Sequence, residues 1–194
     1  MARTRDPQRR EQFLQAALRL FVERGVGGTS TAAIAREAGS ATGTLFLYFP
    51  TKQDLINELI LEISREQSAF IRSLLTPEME ARQMFYTIWR GSIDWFLEHR
   101  DNYQYQQQVR DSVLLDEAVI QQTAVNLGYY FQAVEKGRHS GAIKPYSVEL
   151  VGGFFYQGIV AVMNLLRDEP DAARREQLIN DGFDIFWNGI KEFS

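Results

Sequence analysis

The chain has 194 residues, of which 45% are hydrophobic and 24% charged, with a net charge of −4 and no cysteine. That composition suits a globular protein with a sizeable core, and the missing cysteine excludes disulfide frameworks, thiolate nucleophiles and cysteine-ligated zinc. No run of 18 apolar residues occurs and the N-terminus MARTRDPQRR lacks the apolar core of a signal peptide, so a cytoplasmic protein without a membrane partner is expected.

Charge is unevenly spread along the chain. Residues 1–52 hold eight Lys/Arg against four acids, a net +4, while the other 13 bases and 21 acids leave the remainder at −8. A basic head on an acidic body suits a protein that offers one part of itself to a polyanion. In that head, Asp6-Pro7 reads as a helix start, a capping carboxylate before a proline at the first helical position. Phe13, Ala16, Ala17, Leu20 and Phe21 then recur at i, i+3, i+4, i+7 and i+8, one core face, and Gly25 ends the helix. A short second helix carries Ile34, Ala35 and Ala38 as a narrow apolar stripe, with Thr31 placed to cap it and Gly39 to end it. A third, from about Thr42 to Phe49, turns Leu45 and Phe49 inward and is stopped by Pro50. Helix, glycine-containing turn and helix make a helix-turn-helix, whose second helix can enter a DNA major groove.

The residues Ile34, Ala35, Ala38, Gly39, Gly43, Thr44, Leu45, Phe46, Tyr48, Phe49, Pro50 and Lys52 closely resemble the signature of TetR-type (TetR/AcrR) transcriptional regulators, most strongly over residues 9–60. The resemblance implies a recognition surface of Thr42, Gly43, Thr44, Phe46, Leu47 and Tyr48, with Thr31 and Ala32 from the preceding helix. The side-chain chemistry agrees. Hydroxyls of Thr44 and Tyr48 and the ammonium of Lys52 suit phosphates, Gly43 lets backbone approach DNA, and Thr42, Phe46 and Leu47 suit methyl or ring contact with thymine. The chain departs from the family at Ser40, Ala41 and Thr42, where a hydrophobic residue, a capping serine and a lysine are frequent, and at Phe46, where tyrosine is usual. Its recognition helix is therefore poor in charge. Arg3 and Arg5 either compensate, by reaching phosphates or an adjacent minor groove, or form a solvated tail.

Beyond the head, Thr51 and Asp54 form a capping pattern for a fourth helix running to about Leu75, with Leu55, Leu59 and Ile63 on one face. It is long enough to couple head and body. After Thr76-Pro77, a helix over 78–98 is apolar nearly all round and belongs inside a bundle. The pattern turns irregular at His99–Asn102 and YQYQQQ. A helix over 115–138 follows, ended by Gly137 and Gly141, then a connector at Lys144-Pro145-Tyr146 and helices over 147–166 and 171–191. With no strand pattern or repeat, the chain reads as all-α: a three-helix helix-turn-helix DNA-binding domain at residues 1–52, then a larger antiparallel bundle at residues 53–194 for ligand binding and dimerisation.

Aromatic residues of the body are either plain core or, as the resemblance implies, the lining of an effector pocket. Phe70, Phe85, Trp89, Phe96, Tyr103 and Tyr130, with Asn126 or Gln157 as polar anchors, would suit an apolar or aromatic small molecule. The last two helices carry Gly152, Gly153, Gly158 and Ala161, then Ile179, Phe183, Phe186 and Trp187: small residues for close approach and large ones to fill between. The resemblance implies a four-helix homodimer interface there, matching a palindromic site on double-stranded DNA. Enzyme chemistry finds no support, since His99 and His139 lie 40 residues apart without metal-ligand spacing and no phosphate loop or nucleophile elbow occurs. The expected function is a ligand-responsive transcriptional repressor without metal or cofactor, released from its operator by a small molecule. The alternative is an architectural DNA-binding protein with no regulatory ligand.

Overall fold

The computed structural model describes residues 6–110 and 115–192. Among them the chain forms ten helices and one isolated antiparallel bridge, Ile143 to Lys191, so the fold is all-α. In chain order these are α1 (Pro7–Gly28), α2 (Thr31–Glu37), α3 (Thr42–Tyr48), α4 (Lys52–Leu74), α5 (Ala81–Glu98), α6 (Arg100–Arg110), α7 (Glu117–Asn126), α8 (Gly128–His139), α9 (Val148–Leu166) and α10 (Ala172–Ile190). They gather into two compact units. One takes the chain up to Glu66 together with Glu98–Val125, and the other takes Gln67–Leu97 and the chain from Asn126 onward.

In the first unit, α1 begins at Asp6, whose carboxylate accepts from the Gln8 amide at 2.9 Å, and its helical course breaks at Gly25, where φ is +76°. Phe13, Ala17 and Phe21 are fully buried along one face, the stripe that the spacing requires. Against it packs α6, an element the sequence pattern conceals. Its inward residues are Asn102, Tyr103, Tyr105, Gln106 and Val109, at helical spacing but mostly polar in type, so a hydrophobic period does not register. Tyr105 accounts for the burial: its ring stacks on Phe21 at 5.7 Å, and its hydroxyl donates to the Ile56 carbonyl in α4 at 2.9 Å. The helices of residues 1–52 thus share a core with α6 and the first half of α4. The boundary expected at residue 52 falls inside this compact unit.

The second unit is built around Trp89 on α5. Its indole is fully buried and its N–H donates to the Ile179 carbonyl of α10 at 3.0 Å. Room for the ring comes from two glycines. A Cβ on Gly158 of α9 would lie 2.9 Å from Trp89 Cη2, and one on Gly182 of α10 would lie 3.0 Å from Cζ2 and 2.5 Å from Val162 Cγ2. Phe155 and Phe186 close round the indole, with centroids 5.6 and 6.3 Å away, and 4.9 Å from each other. Along the solvent side, α5 and α10 are registered by a polar ladder. Arg82 pairs with Asp184 at 3.1 Å, Tyr86 donates to Asn180 at 2.8 Å, and Arg90 forks to Glu176 while also holding Asp94 at 2.8 Å. Exposed pairs of this kind stabilise by about 0–1 kcal/mol each, so they set register more than stability.

Three further expectations change. The helix expected over 115–138 is two, α7 and α8, parted at Leu127. The break frees the Asn126 carbonyl, which accepts from the Ser68 hydroxyl at 2.7 Å and from Arg72 at 3.3 Å. Gly137 does not end α8 but lies buried within it, leaving room for Ile143, whose side chain comes 3.1 Å from its missing Cβ position. Finally, Phe183 is 1% exposed within a single chain, so it is core and not interface. The free apolar surface lies elsewhere: Leu150, Phe154 and Leu165 on one face of α9 and Ile185 on α10, the last 77% exposed. By length and composition α9 could cross a membrane, yet Val151, Phe155, Ile159, Val162 and Met163 bury its opposite face in protein.

Trp89→Ala should cost about 3–5 kcal/mol, the usual range for deleting a buried large aromatic, and Gly182→Ala about 1–3 kcal/mol through overpacking. Chemical denaturation measures both. A near-neutral Trp89→Ala would mean that the indole does not organise this unit.

Candidate nucleic-acid interface

The helix-turn-helix is held by caps and by one tight turn. Ser30, not Thr31, caps α2: its hydroxyl accepts from the Ala33 amide at 3.1 Å, and Thr31 is the first helical residue. One position N-terminal is the correct register because the cap itself must stay extended, as Ser30 does at φ −91°, ψ 151°. Gly39 adopts φ +62°, which lets the Ser40 amide reach back to the Ala35 carbonyl at 2.9 Å and turns the chain into α3. Ala41 caps α3 without a side-chain hydrogen bond. Ile34, Ala35 and Leu45 are fully buried and Phe49 is 1% exposed, which seats α3 on its neighbours.

The opposite face of α3 is open. Leu47 is 63% and Phe46 41% exposed, both large apolar side chains left in solvent. Gly43 lies beside them, exposed, and a Cβ there would meet nothing within 4 Å. A glycine inside a helix costs roughly 0.5–1 kcal/mol relative to alanine, and no contact among the described residues compensates for it. The cost makes sense if something outside the chain approaches that backbone. Thr42 and Thr44 are half-buried beside it, and on α2 Thr31 is half-buried and Ala32 exposed. Arg3 and Arg5 lie outside the described residues.

Other expected DNA ligands already have partners. Tyr48 accepts from the Asp6 amide at 3.1 Å, which leaves its own proton to donate, and its ring tilts against Phe13 at 5.6 Å. The Lys52 ammonium donates to the Val26 carbonyl at 2.6 Å, at the end of α1. It acts there with Thr29, whose hydroxyl lies 2.8 Å from the Gly25 carbonyl and 3.1 Å from that of Leu20. Behind it the Thr51–Asp54 capping box forms as the spacing requires: the Thr51 amide donates to Asp54 at 2.9 Å, and the Asp54 amide to the Thr51 hydroxyl at 3.1 Å. Lys52 keeps two of its three N–H donors.

The positive surplus of the head is partly internal as well. Arg10 pairs with Glu58 at 2.5 Å and Glu62 at 3.3 Å, Arg19 with Glu37 at 3.4 Å, and Arg9 donates to the Ala38 carbonyl at 3.4 Å. Arg36, in the last turn of α2, is exposed and has no ion pair among the described residues. Sequence reading counted it in the charge but gave it no role. Its position two residues before the start of the turn could have singled it out.

The expected effector residues differ in burial and in the compact unit they belong to. Phe85 and Trp89 are fully buried in the aromatic core and offer no surface to a ligand. Gln157 is exposed, in the middle of the free α9 face. Tyr130 is 8% exposed, with its hydroxyl 3.3 Å from the Val148 carbonyl. Phe96 and Tyr103 are buried, one in each compact unit, while Phe70 is half-buried near Gly91. Asn126 contributes its backbone carbonyl to Ser68 and Arg72.

Residues 13–59 match the family model of bacterial regulatory proteins, tetR family. The chain is 32% identical over 87 residues to the HTH-type transcriptional regulator LuxR of Vibrio harveyi, an alignment spanning 45% of this chain and 42% of that protein, less than half of either. It is 26% identical over 148 residues to the HTH-type transcriptional regulator YhgD of Bacillus subtilis, spanning 73% and 75% of the two chains. Among solved structures, a protein of Shewanella sp. PV-4 assigned to the tetR family of transcription regulators superposes over 95% of this chain and 99% of that one, with a TM-score of 0.88 and 29% identity. A TetR family regulator from Marinobacter aquaeolei VT8 shares the fold at a TM-score of 0.82 and 21% identity, over 95% and 96% of the chains.

Gly43→Ala separates folding from recognition. It should raise stability by about 0.5–1 kcal/mol, as helix propensity dictates, while weakening DNA binding. Thermal melting and a fluorescence-anisotropy titration on DNA measure the two effects. Unchanged DNA affinity would remove α3 from close contact with the duplex.

Proposed function

The chain is a TetR-type transcriptional regulator, and we propose that it works as a homodimeric repressor, released from a palindromic operator when a small molecule binds its C-terminal helices. The observation that carries this reading is the exposed face of α3: Phe46 and Leu47 out in solvent beside an uncompensated helical glycine. That face suits a major groove. Apolar side chains meet thymine methyls, the hydroxyls of Thr42 and Thr44 serve base edges or phosphates, and Gly43 admits the duplex closely. Phosphate attraction falls to Arg36 and to the spare donors of Lys52, with Tyr48 donating its free proton. Arg3 and Arg5 are assigned the same role.

Dimerisation supplies the second recognition helix. The face Leu150, Phe154 and Leu165 on α9, with Ile185 on α10, is apolar and left open by the described residues, and a second copy of the same face would cover it about a two-fold axis. Two recognition helices must then sit about 34–36 Å apart to reach successive major grooves. A ligand releases DNA only if it binds some other arrangement of the dimer better, since equal affinity for both arrangements shifts nothing.

Arg36→Ala should weaken operator and non-specific DNA alike and lower the slope of log affinity against log salt by about one. Lys52→Ala should lose thermal stability as well, because it opens the end of α1. An unchanged salt slope for Arg36→Ala would place α2 away from the phosphates. For assembly, Phe154→Glu and Ile185→Glu should each give folded monomers in sedimentation. Full helical content with an intact dimer in both variants would move the interface elsewhere.

A further inference from the structure

A cleft of about 610 Å³ lies within the second unit, lined by Arg72 and Leu75 at the end of α4, by Met84 on α5, and by Tyr129, Gln132 and Lys136 on one face of α8. Its chemistry is not that of the apolar site foreseen from the sequence. Two cations line it and no carboxylate does. Arg72 gives one N–H to the Asn126 carbonyl at 3.3 Å, and Lys136 donates to the carbonyls of Pro77, at 3.0 Å, and Met79. Those acceptors are neutral, and neither cation forms an ion pair among the described residues. Glu78 stands near enough to Lys136 to feel its charge, but neither cation is held in an ion pair at the wall of the cleft.

Two independent features point the same way. Tyr129 is only 5% exposed, and its hydroxyl has no hydrogen-bond partner among the described residues although it borders the cleft. The hydroxyl is not sealed in the core, and burial of the ring pushes this phenol's pKa up to about 12, so it keeps its proton and has it free to donate to a bound ligand. The second feature is the start of α8. Leu127 caps it without a side-chain hydrogen bond and its first turn holds no acid, so the amides of Gly128 and Tyr129 point out at the positive end of the helix dipole. The carbonyl end of α4 borders the same cleft and opposes this, but Arg72 in its last turn offsets it.

We propose that this cleft binds an organic anion, a carboxylate or phosphate head on a compact apolar body. The head meets Arg72, Lys136, the Tyr129 hydroxyl and the free amides of α8, and the body covers Leu75, Pro77 and Met84. The site stands on its own geometry. Its regulatory meaning rests on the effector reading above.

The full-length protein, titrated calorimetrically with decanoate, decyl phosphate, decanol and decyltrimethylammonium, tests it. One or both anions should bind at least tenfold more tightly than decanol, and the cation should not bind; which anion is preferred separates the carboxylate source from the phosphate one. Gln132→Glu adds a like charge from an exposed side chain, so it should cut anion affinity at least tenfold without lowering the melting temperature. Tyr129→Phe keeps the packing and should cost severalfold through the lost donor. Arg72→Met and Lys136→Met also free backbone carbonyls, so their affinities are read only beside their melting curves. Decanol binding as tightly as the anions, no binding of either anion, or indifference to both Gln132→Glu and Tyr129→Phe would overturn the proposal. Operator titrations keep the two readings apart. Anion binding at the cleft that leaves operator affinity unchanged supports the site and refutes its effector role, whereas operator release by another molecule without anion binding refutes the site alone.

Discussion

The placement of Trp89 between two glycines decides most of what the second unit can do. An indole needs a volume that α5, α9 and α10 can provide only where Gly158 and Gly182 withhold their side chains. Once the ring is seated and its N–H satisfied by Ile179, the rotation of α9 and α10 about their own axes is fixed. Phe155, Phe183 and Phe186 then face inward, and Phe154, Leu165 and Ile185 can only face outward. The outer apolar face is thus a consequence of the inner packing. Inner and outer residues alternate with the helical period, so moving one set inward would expose the other.

In the head the same competition is electrostatic. A DNA-binding domain gains affinity from every uncommitted cation, yet this one spends Arg10 on Glu58 and Glu62, Arg19 on Glu37 and one of the Lys52 donors on Val26. Those contacts join α1 to α4 and close the turn behind α2, which fixes the orientation of α3. With fewer free charges, non-specific attraction to the backbone is weaker, and on the proposed reading of α3 a larger share of recognition falls to Phe46, Leu47 and the threonines. Apolar contact with thymine methyls does not depend on counterion release, so recognition of this kind tolerates salt better than a basic recognition helix would.

Much of this was legible in the sequence wherever a local rule acts alone. The capping box at Thr51 and Asp54, the breaks at Gly25 and Gly39, the inward stripe of α1 and the split of α3 into buried Leu45 and open Phe46 and Leu47 follow from spacing and residue type. Failures came where tertiary contacts overrule local signals. Tyr105 and Gln106 bury a helix whose residues look polar, because Phe21 and the Ile56 carbonyl give Tyr105 its partners. Leu127 carries no breaker signature, yet the helix parts there and the freed Asn126 carbonyl takes Ser68 and Arg72. Aromatic residues gave no sign of whether they line a hole or fill one. Trp89 fills it, and what reveals this is a pair of glycines 69 and 93 positions away.

The two halves of the α8 surface bring the remaining features together. Tyr129 borders the cationic cleft, while its neighbour Tyr130 points into the aromatic core, 5.7 Å from Phe155 and 6.1 Å from Phe85, with its hydroxyl on the Val148 carbonyl at the start of α9. Gly152 leaves only enough room for that hydroxyl, 3.3 Å from where a Cβ would stand. A close-packed core of this kind does not deform continuously. A ligand head that drew α8 toward Arg72 would therefore have to move Tyr130 against α9, whose far side is the free apolar face. A coupling of 1–3 kcal/mol, the usual range between linked sites, needs only one such rearrangement to be favoured in the liganded state. The same argument limits what any ligand can achieve. If it fills the cleft without displacing α8, the α9 face keeps its geometry and DNA binding is untouched, however tightly the ligand is held.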